Sequence, residues 1–122
     1  MSHIVTIQTQ VRDPEAIRLA CERLQLPPPR QALFELFSAS AVGWGVELPG
    51  WHYPVVCQTE TGELKYDNFN GHWGDPIHMQ AFVQRYTAEV AKLAARRKGH
   101  TAIEQPMSDG SIKLVIQVRG AS

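Results

Sequence analysis

Residues 31–67, QALFELFSASAVGWGVELPGWHYPVVCQTETGELKYD, carry the punctuation that decides the fold. Ala32 to Phe37 and Ala41 to Leu48 are short apolar runs separated by Ser38-Ala39-Ser40. Pro49-Gly50 fits the two central positions of a type II turn, where proline presets the first φ and glycine supplies the positive second one. Tyr53 to Thr59 reads as the next strand, and Glu60-Thr61-Gly62 turns the chain into Glu63-Leu64-Lys65-Tyr66. Strands joined by such short turns pair with their sequence neighbours, so the segment predicts a β-meander with three successive hairpin connections.

Upstream, His3 to Gln10 is rich in β-branched residues on both sides, with Val5 and Ile7 opposite Ile4 and Thr6, a pattern that suits an internal strand. Asp13 then caps a helix and Pro14 takes its first position, which needs no amide partner. Ile17, Ala20, Cys21 and Leu24 fall at helical spacing, giving one apolar stripe that ends before Pro27-Pro28-Pro29. Downstream, Asp75-Pro76 repeats the cap-and-proline device and opens a long helix to about Lys98, with Gly99 as the left-handed stop. Met79, Phe82, Val83, Tyr86, Val90, Leu93 and Ala94 form its stripe, and Arg96, Arg97 and Lys98 oppose the negative end of the helix dipole. The last segment is a hairpin, His100 to Gln105 and Ile112 to Val118, turning around Ser108-Asp109-Gly110.

The order β-α-ββββ-α-ββ predicts an α+β fold. Each helix shows one apolar stripe, so the simplest solution has two layers, an antiparallel sheet with two helices packed on one face. No linker interrupts residues 1–122, which form a single domain. At 122 residues and 43% apolar content the chain buries a core without a disulfide or metal staple. Twelve basic and twelve acidic side chains cancel, which removes the simplest electrostatic case for a nucleic-acid or anionic-membrane binder. The N-terminus has no signal-peptide pattern and no stretch is apolar enough to span a bilayer, so a cytoplasmic protein is expected. Cys21 and Cys57 lack metal-site spacing and read as two buried thiols.

Several blocks in one order carry a resemblance: Met1-Ser2-His3, Arg12-Asp13-Pro14, Tyr53-Pro54-Val55-Val56, Tyr66-Asp67-Asn68 with Asn70-Gly71 and Trp73-Gly74, Ala95-Arg96-Arg97-Lys98-Gly99 with Glu104-Gln105, and Asp109-Gly110-Ser111-Ile112. Together they resemble the family of small proteins known as hypothetical chloroplast reading frame thirty-five, a domain of unknown function in bacteria. The resemblance spans essentially the whole chain and implies a stand-alone, cytosolic or stromal, single-domain protein. It carries no activity, cofactor or catalytic residue onto these positions.

The densest polar cluster is Asp67-Asn68-Phe69-Asn70-Gly71-His72-Trp73-Gly74-Asp75, between the last meander strand and the second helix. Its Asn and Gly residues suit a loop shaped by backbone demands. Trp73, Phe69 and His72 beside Asn68 and Asn70 also suit a binding surface, with flat rings next to amide partners. A second cluster, Trp44, Trp51, His52 and Tyr53, surrounds Pro49-Gly50 and either covers one end of the core or forms a contact patch with Trp51 as its anchor. Two further sites are weighed. Asp67, His72, Asp75 and His78 have the ligand types for a divalent metal without diagnostic spacing, and the calcium-loop pattern fails at Phe69. Arg85 and Lys92 extend the basic run along the second helix as a stripe for nucleic acid, with Trp44 or Tyr53 as stacking platforms.

No nucleophile elbow, metalloprotease or phosphate-loop spacing occurs, so no catalytic residue is assigned. The reading is therefore a non-enzymatic interaction or adaptor protein without cofactor or metal, whose partner is another protein, with a homo-oligomer left open. Its binding residues are Trp73, Asn68, Asn70, His72, Trp51 and Tyr53. The alternative is a small-molecule or metal-binding domain using the loop from Asp67 to His78.

Overall fold

The computed structural model describes residues 5–8 and 10–118. Its strands are β1 (Val5–Gln8), β2 (Arg30–Glu35), β3 (Ser40–Val46), β4 (Val55–Gln58), β5 (Glu63–Tyr66), β6 (Thr101–Pro106) and β7 (Ile112–Gln117). Helix α1 (Pro14–Arg23) follows β1, and helix α2 (Pro76–Arg97) precedes β6. The order is the expected one, with an added single 3-10 turn at Phe69–Gly71.

The meander forms as read. Strands β2 to β5 pair antiparallel in sequence order, and β1 returns to pair with β5, giving a sheet ordered β1-β5-β4-β3-β2. Strand β1 is thus an edge strand and not the internal strand its composition suggested. β-branched composition suits an edge strand as well as an internal one, and pairing with β5 decides between them.

Both helices cover one face of this sheet. Val46, Val55, Cys57 and Leu64 alternate toward them and meet Ala16, Ile17, Ala20 and Cys21 of α1 and Met79, Phe82, Tyr86 and Leu93 of α2. Both caps form as expected: Asp13 accepts from the amides of Glu15 and Ala16, and Asp75 from that of Ile77. Tyr86 locks the layers together. Its hydroxyl accepts from the amides of Arg12 and Asp13, each at 3.0 Å, which lie where the chain enters α1.

On the opposite face, glycines make room. A Cβ on Gly45 would stand 2.3 Å from the Phe34 ring, and one on Gly43 would stand 2.5 Å from the Cys57 carbonyl oxygen. The ring of Phe34 therefore lies along β3, with the Arg30 guanidinium 5.5 Å from its centroid.

The terminal hairpin corrects the single-sheet expectation. Strands β6 and β7 form a separate two-stranded sheet that packs on α2. The expectation assumed one buried stripe per helix, whereas α2 has a second, where buried Ala88 and Ala95 offer little bulk to the hairpin. This contact is also electrostatic. Glu89 is fully buried, and its carboxylate lies 2.7 Å from Arg85 Nη2, 3.2 Å from Lys92 Nζ and 3.8 Å from Arg23 Nε. Glu104 of β6 pairs with Arg85 and lies 3.5 Å from Lys92 Nζ. One ion cluster thus ties α1, α2 and the hairpin.

Candidate functional site

The loop between β5 and α2 is built from its backbone outward. Asp67 is buried and accepts from the Phe69 amide, closing a tight turn. Phe69, Asn70 and Gly71 then take φ of 47°, 53° and 92°, three left-handed residues in succession. Glycine and asparagine tolerate that region; a phenylalanine there is strained, at a cost of about 1–2 kcal/mol. The loop is held in this shape from within. The Asn68 side-chain amide donates to the Gly74 carbonyl at 3.2 Å, and the Trp73 amide donates to the Asn68 carbonyl at 2.9 Å.

Strain and bonding together present a group of rings. Trp73 stacks on Phe69 at 4.8 Å between centroids and on His52 at 5.7 Å, with Tyr53 edge-on at 5.8 Å and Phe37 tilted at 5.3 Å. His72 rests on the other side of the arrangement, 5.1 Å from Phe69. The rings come from three connections: Phe37 from the β2–β3 turn, His52 and Tyr53 from the β3–β4 loop, and the rest from the loop before α2. The His52 amide bonds to the Trp73 carbonyl at 2.9 Å and joins two of them. Phe37 is 55% exposed, and His52 and His72 are exposed, so the group lies at the surface.

The two aromatic clusters of the sequence are thereby redistributed. His52 and Tyr53 join Trp73. Trp51 does not: it is half-buried against the core, its ring fills the space over Gly74, its edge meets Tyr66, and its Nε1 donates to the Asp75 carbonyl at 3.0 Å. It closes the core and is no outward anchor. Trp44 faces elsewhere, beside Pro14, Pro28 and Pro29. Asn68 is buried and shapes the loop, whereas Asn70 is exposed. Phe37 was missed because it ends an apolar run that reads as strand; its place in the turn, next to Trp73, is decided by the curl of the β2–β3 hairpin.

The chemistry weighed as alternatives is not assembled. Among the described residues no group of three or more His, Cys, Asp or Glu is placed to hold a metal ion, so Asp67, His72, Asp75 and His78 do not converge. Asp67 and Asp75 are used in turn and cap. The basic stripe on α2 is also dispersed: Arg85 and Lys92 are drawn into the ion cluster around Glu89, and only Arg96, Arg97 and Lys98 remain exposed. Cys21 and Cys57 are both buried and unbonded to each other. Burial pushes the Cys21 thiol up to about 11, and burial together with Cys21 raises Cys57 further, which suppresses thiolate chemistry.

No family model, curated protein or solved structure matches the chain. Among the described residues no helix is long and apolar enough to cross a membrane.

Proposed function

We propose that the protein is a non-enzymatic interaction module that docks another protein through the ring group of Phe37, His52, Tyr53, Phe69, His72 and Trp73. The observation that carries this reading is the convergence of six rings from three separate connections onto one surface, with Trp73 at the centre and a strained Phe69 stacked on it. Rings that only close a core have no need of an outward Phe37 or of exposed His52 and His72. Aromatic groups desolvate at low side-chain entropy cost, which is why such residues dominate the energetics of protein contacts. Backbone strain retained in a surface loop is supported by the same reading, since loops that bind are held in shapes that turns alone do not require. The two buried, unpaired thiols suit a reducing compartment, and cytoplasmic action is part of the proposal.

The test uses the immobilised full chain to retrieve a stoichiometric partner from extract of its native cell. Phe37→Ser combined with His52→Ala should lose that partner while circular dichroism stays unchanged. Ile77→Ser, at an equally exposed apolar residue on the first turn of α2, should retain it. Retention by the double variant, with loss at Ile77→Ser, sinks the proposal.

A further inference from the structure

Strand β2 ends the sheet, and among the described residues no strand pairs with its outer edge. The direction of its backbone groups follows from the hairpin. The Leu36 amide donates to the Ala39 carbonyl at 2.7 Å, so that pair is hydrogen-bonded in the register that continues through Phe34↔Ala41 and Ala32↔Gly43. With a period of two, the amides and carbonyls of Phe34, Ala32 and Arg30 face β3, and those of Gln31, Leu33 and Glu35 face outward. The same phase recurs across β3, where the Val42 carbonyl points toward β4 and accepts from the Gln58 side chain.

This edge lacks the usual protection. Its register with β3 is one-to-one from Arg30↔Gly45 to Glu35↔Ser40, so no bulge turns it away. Residues 30–35 contain neither lysine nor proline. Its central Leu33 is 61% exposed and its cross-strand neighbour Val42 is 60% exposed, which shows that the helix layer stops short of β2. Charged Arg30 and Glu35 stand at its two ends, and an open edge with an exposed apolar centre of this kind recruits another strand.

We infer that the partner of this edge is β2 of a second copy, joined antiparallel about a two-fold axis at Leu33 to make a continuous ten-stranded sheet. A two-fold normal to the sheet keeps side chains on their own face, so residues whose numbers sum to 66 oppose one another. Leu33 then meets Leu33 of the second copy in a pair that exchanges both backbone hydrogen bonds. Gln31 opposes Glu35 on each side of the axis, an amide donor against a carboxylate acceptor formed twice. On the other face Ala32 opposes Phe34, small against large. Moving the axis one residue either way sets Leu33 opposite Gln31 or Glu35, so the Leu33 register is the one that matches apolar with apolar and donor with acceptor. Zero net charge on each copy removes long-range repulsion. One strand pair buries less than the roughly 1,200 Å² of standard interfaces, so the dimer is weak and concentration-dependent. It uses a surface separate from the ring group.

The test is sedimentation velocity of the full chain over a concentration series. The wild type should pass from monomer to dimer. Leu33→Lys sets two like charges at the axis and should weaken dimerisation at least about tenfold. Leu33→Pro removes an outward amide while sparing the β2–β3 ladder, and should also hold the chain monomeric. Gln31→Lys creates two ion pairs with Glu35 and should tighten the dimer about three- to tenfold, a gain that misfolding cannot produce. Ile103→Lys, on the separate hairpin, should change nothing. A chain that stays monomeric at every concentration overturns the inference, as does a dimer dissolved by Ile103→Lys and untouched by Leu33→Lys.

Discussion

Replacing Glu89 by Gln probes the least expected feature of the core. Glu89 lies on α2 four residues before Leu93, three after Tyr86 and seven after Phe82, in the middle of the stripe that faces α1. Its carboxylate is fully buried, and the side chains of Arg85 and Lys92 beside it are 14% and 11% exposed. Within the cluster the two acids Glu89 and Glu104 face the buried bases Arg85 and Lys92, with the half-exposed Arg23 at its edge. Glutamine preserves volume and removes one negative charge, and its amide group turns donors toward donors. Removing one member of a buried pair costs about 3–5 kcal/mol, because the partner charge stays desolvated and uncompensated. Glu104 remains to neutralise part of the excess, which places the loss near the lower end, about 3 kcal/mol. That is a large part of the ~5–15 kcal/mol that holds a domain of this size together. At roughly 3–6 °C per kcal/mol, the melting temperature should fall by about 10–15 °C. Urea unfolding followed by tryptophan fluorescence measures the change directly. If the cost comes from stranded charge, the triple variant Glu89→Leu, Arg85→Leu, Lys92→Met should recover most of it, since apolar replacement of buried ion partners is often neutral and Glu104, 30% exposed, turns to water. A Glu89→Gln protein within about 0.5 kcal/mol of wild type would refute the argument, and so would a triple variant less stable than the single one.

Three further outcomes are expected. Tyr86→Phe leaves the Arg12 and Asp13 amides without their shared acceptor and should cost about 1–3 kcal/mol by urea titration, with little change in volume. Gly43→Ala should destabilise more than Gly45→Ala, because the first Cβ meets the Cys57 backbone carbonyl while the second meets the half-exposed Phe34 ring, which can swing aside; thermal melts rank the two. Because Cys21 titrates near 11 in the folded protein against an ordinary 9.0, its burial contributes stability that is complete below pH 9 and declines as pH rises toward 11. A chain whose urea midpoint is flat from pH 8.5 to about 11, with Cys21 replaced by Ala as the reference, contradicts that assignment.

The local syntax of the chain was open to reading because each signal is carried by neighbours in sequence. Asp13-Pro14 and Asp75-Pro76 start helices through side chains that reach amides two or three residues on. Strand β5 was read with the bounds it has, since Gly62 and Asp67 mark both ends. The misreadings share a cause. His3 to Gln10 looks internal by composition, but the position of a strand in a sheet depends on the path of the connection. Trp51 and Trp73 both sit close to glycine-bearing turns, yet the first packs over Gly74 against the core and the second meets the rings of two other connections at the surface.

Glu89 was visible in principle, an acid at apolar spacing with Arg85 and Lys92 within one helical turn on either side. Reading it required knowing that a hairpin would bring Glu104 onto α2.

What sequence by itself determined is thus the α+β class, the order of elements, the helix caps and turns, and the burial of two thiols, all set by interactions that span a few residues or by hydrophobic period. Tertiary structure alone decided which strands stand at the edges, that the terminal hairpin leaves the sheet, which rings gather around Trp73, and which charges are buried. Those outcomes depend on pairs of residues far apart in the chain. A contact of that kind has no local signature: its energy exists only once the intervening segments have folded and brought its two sides within reach.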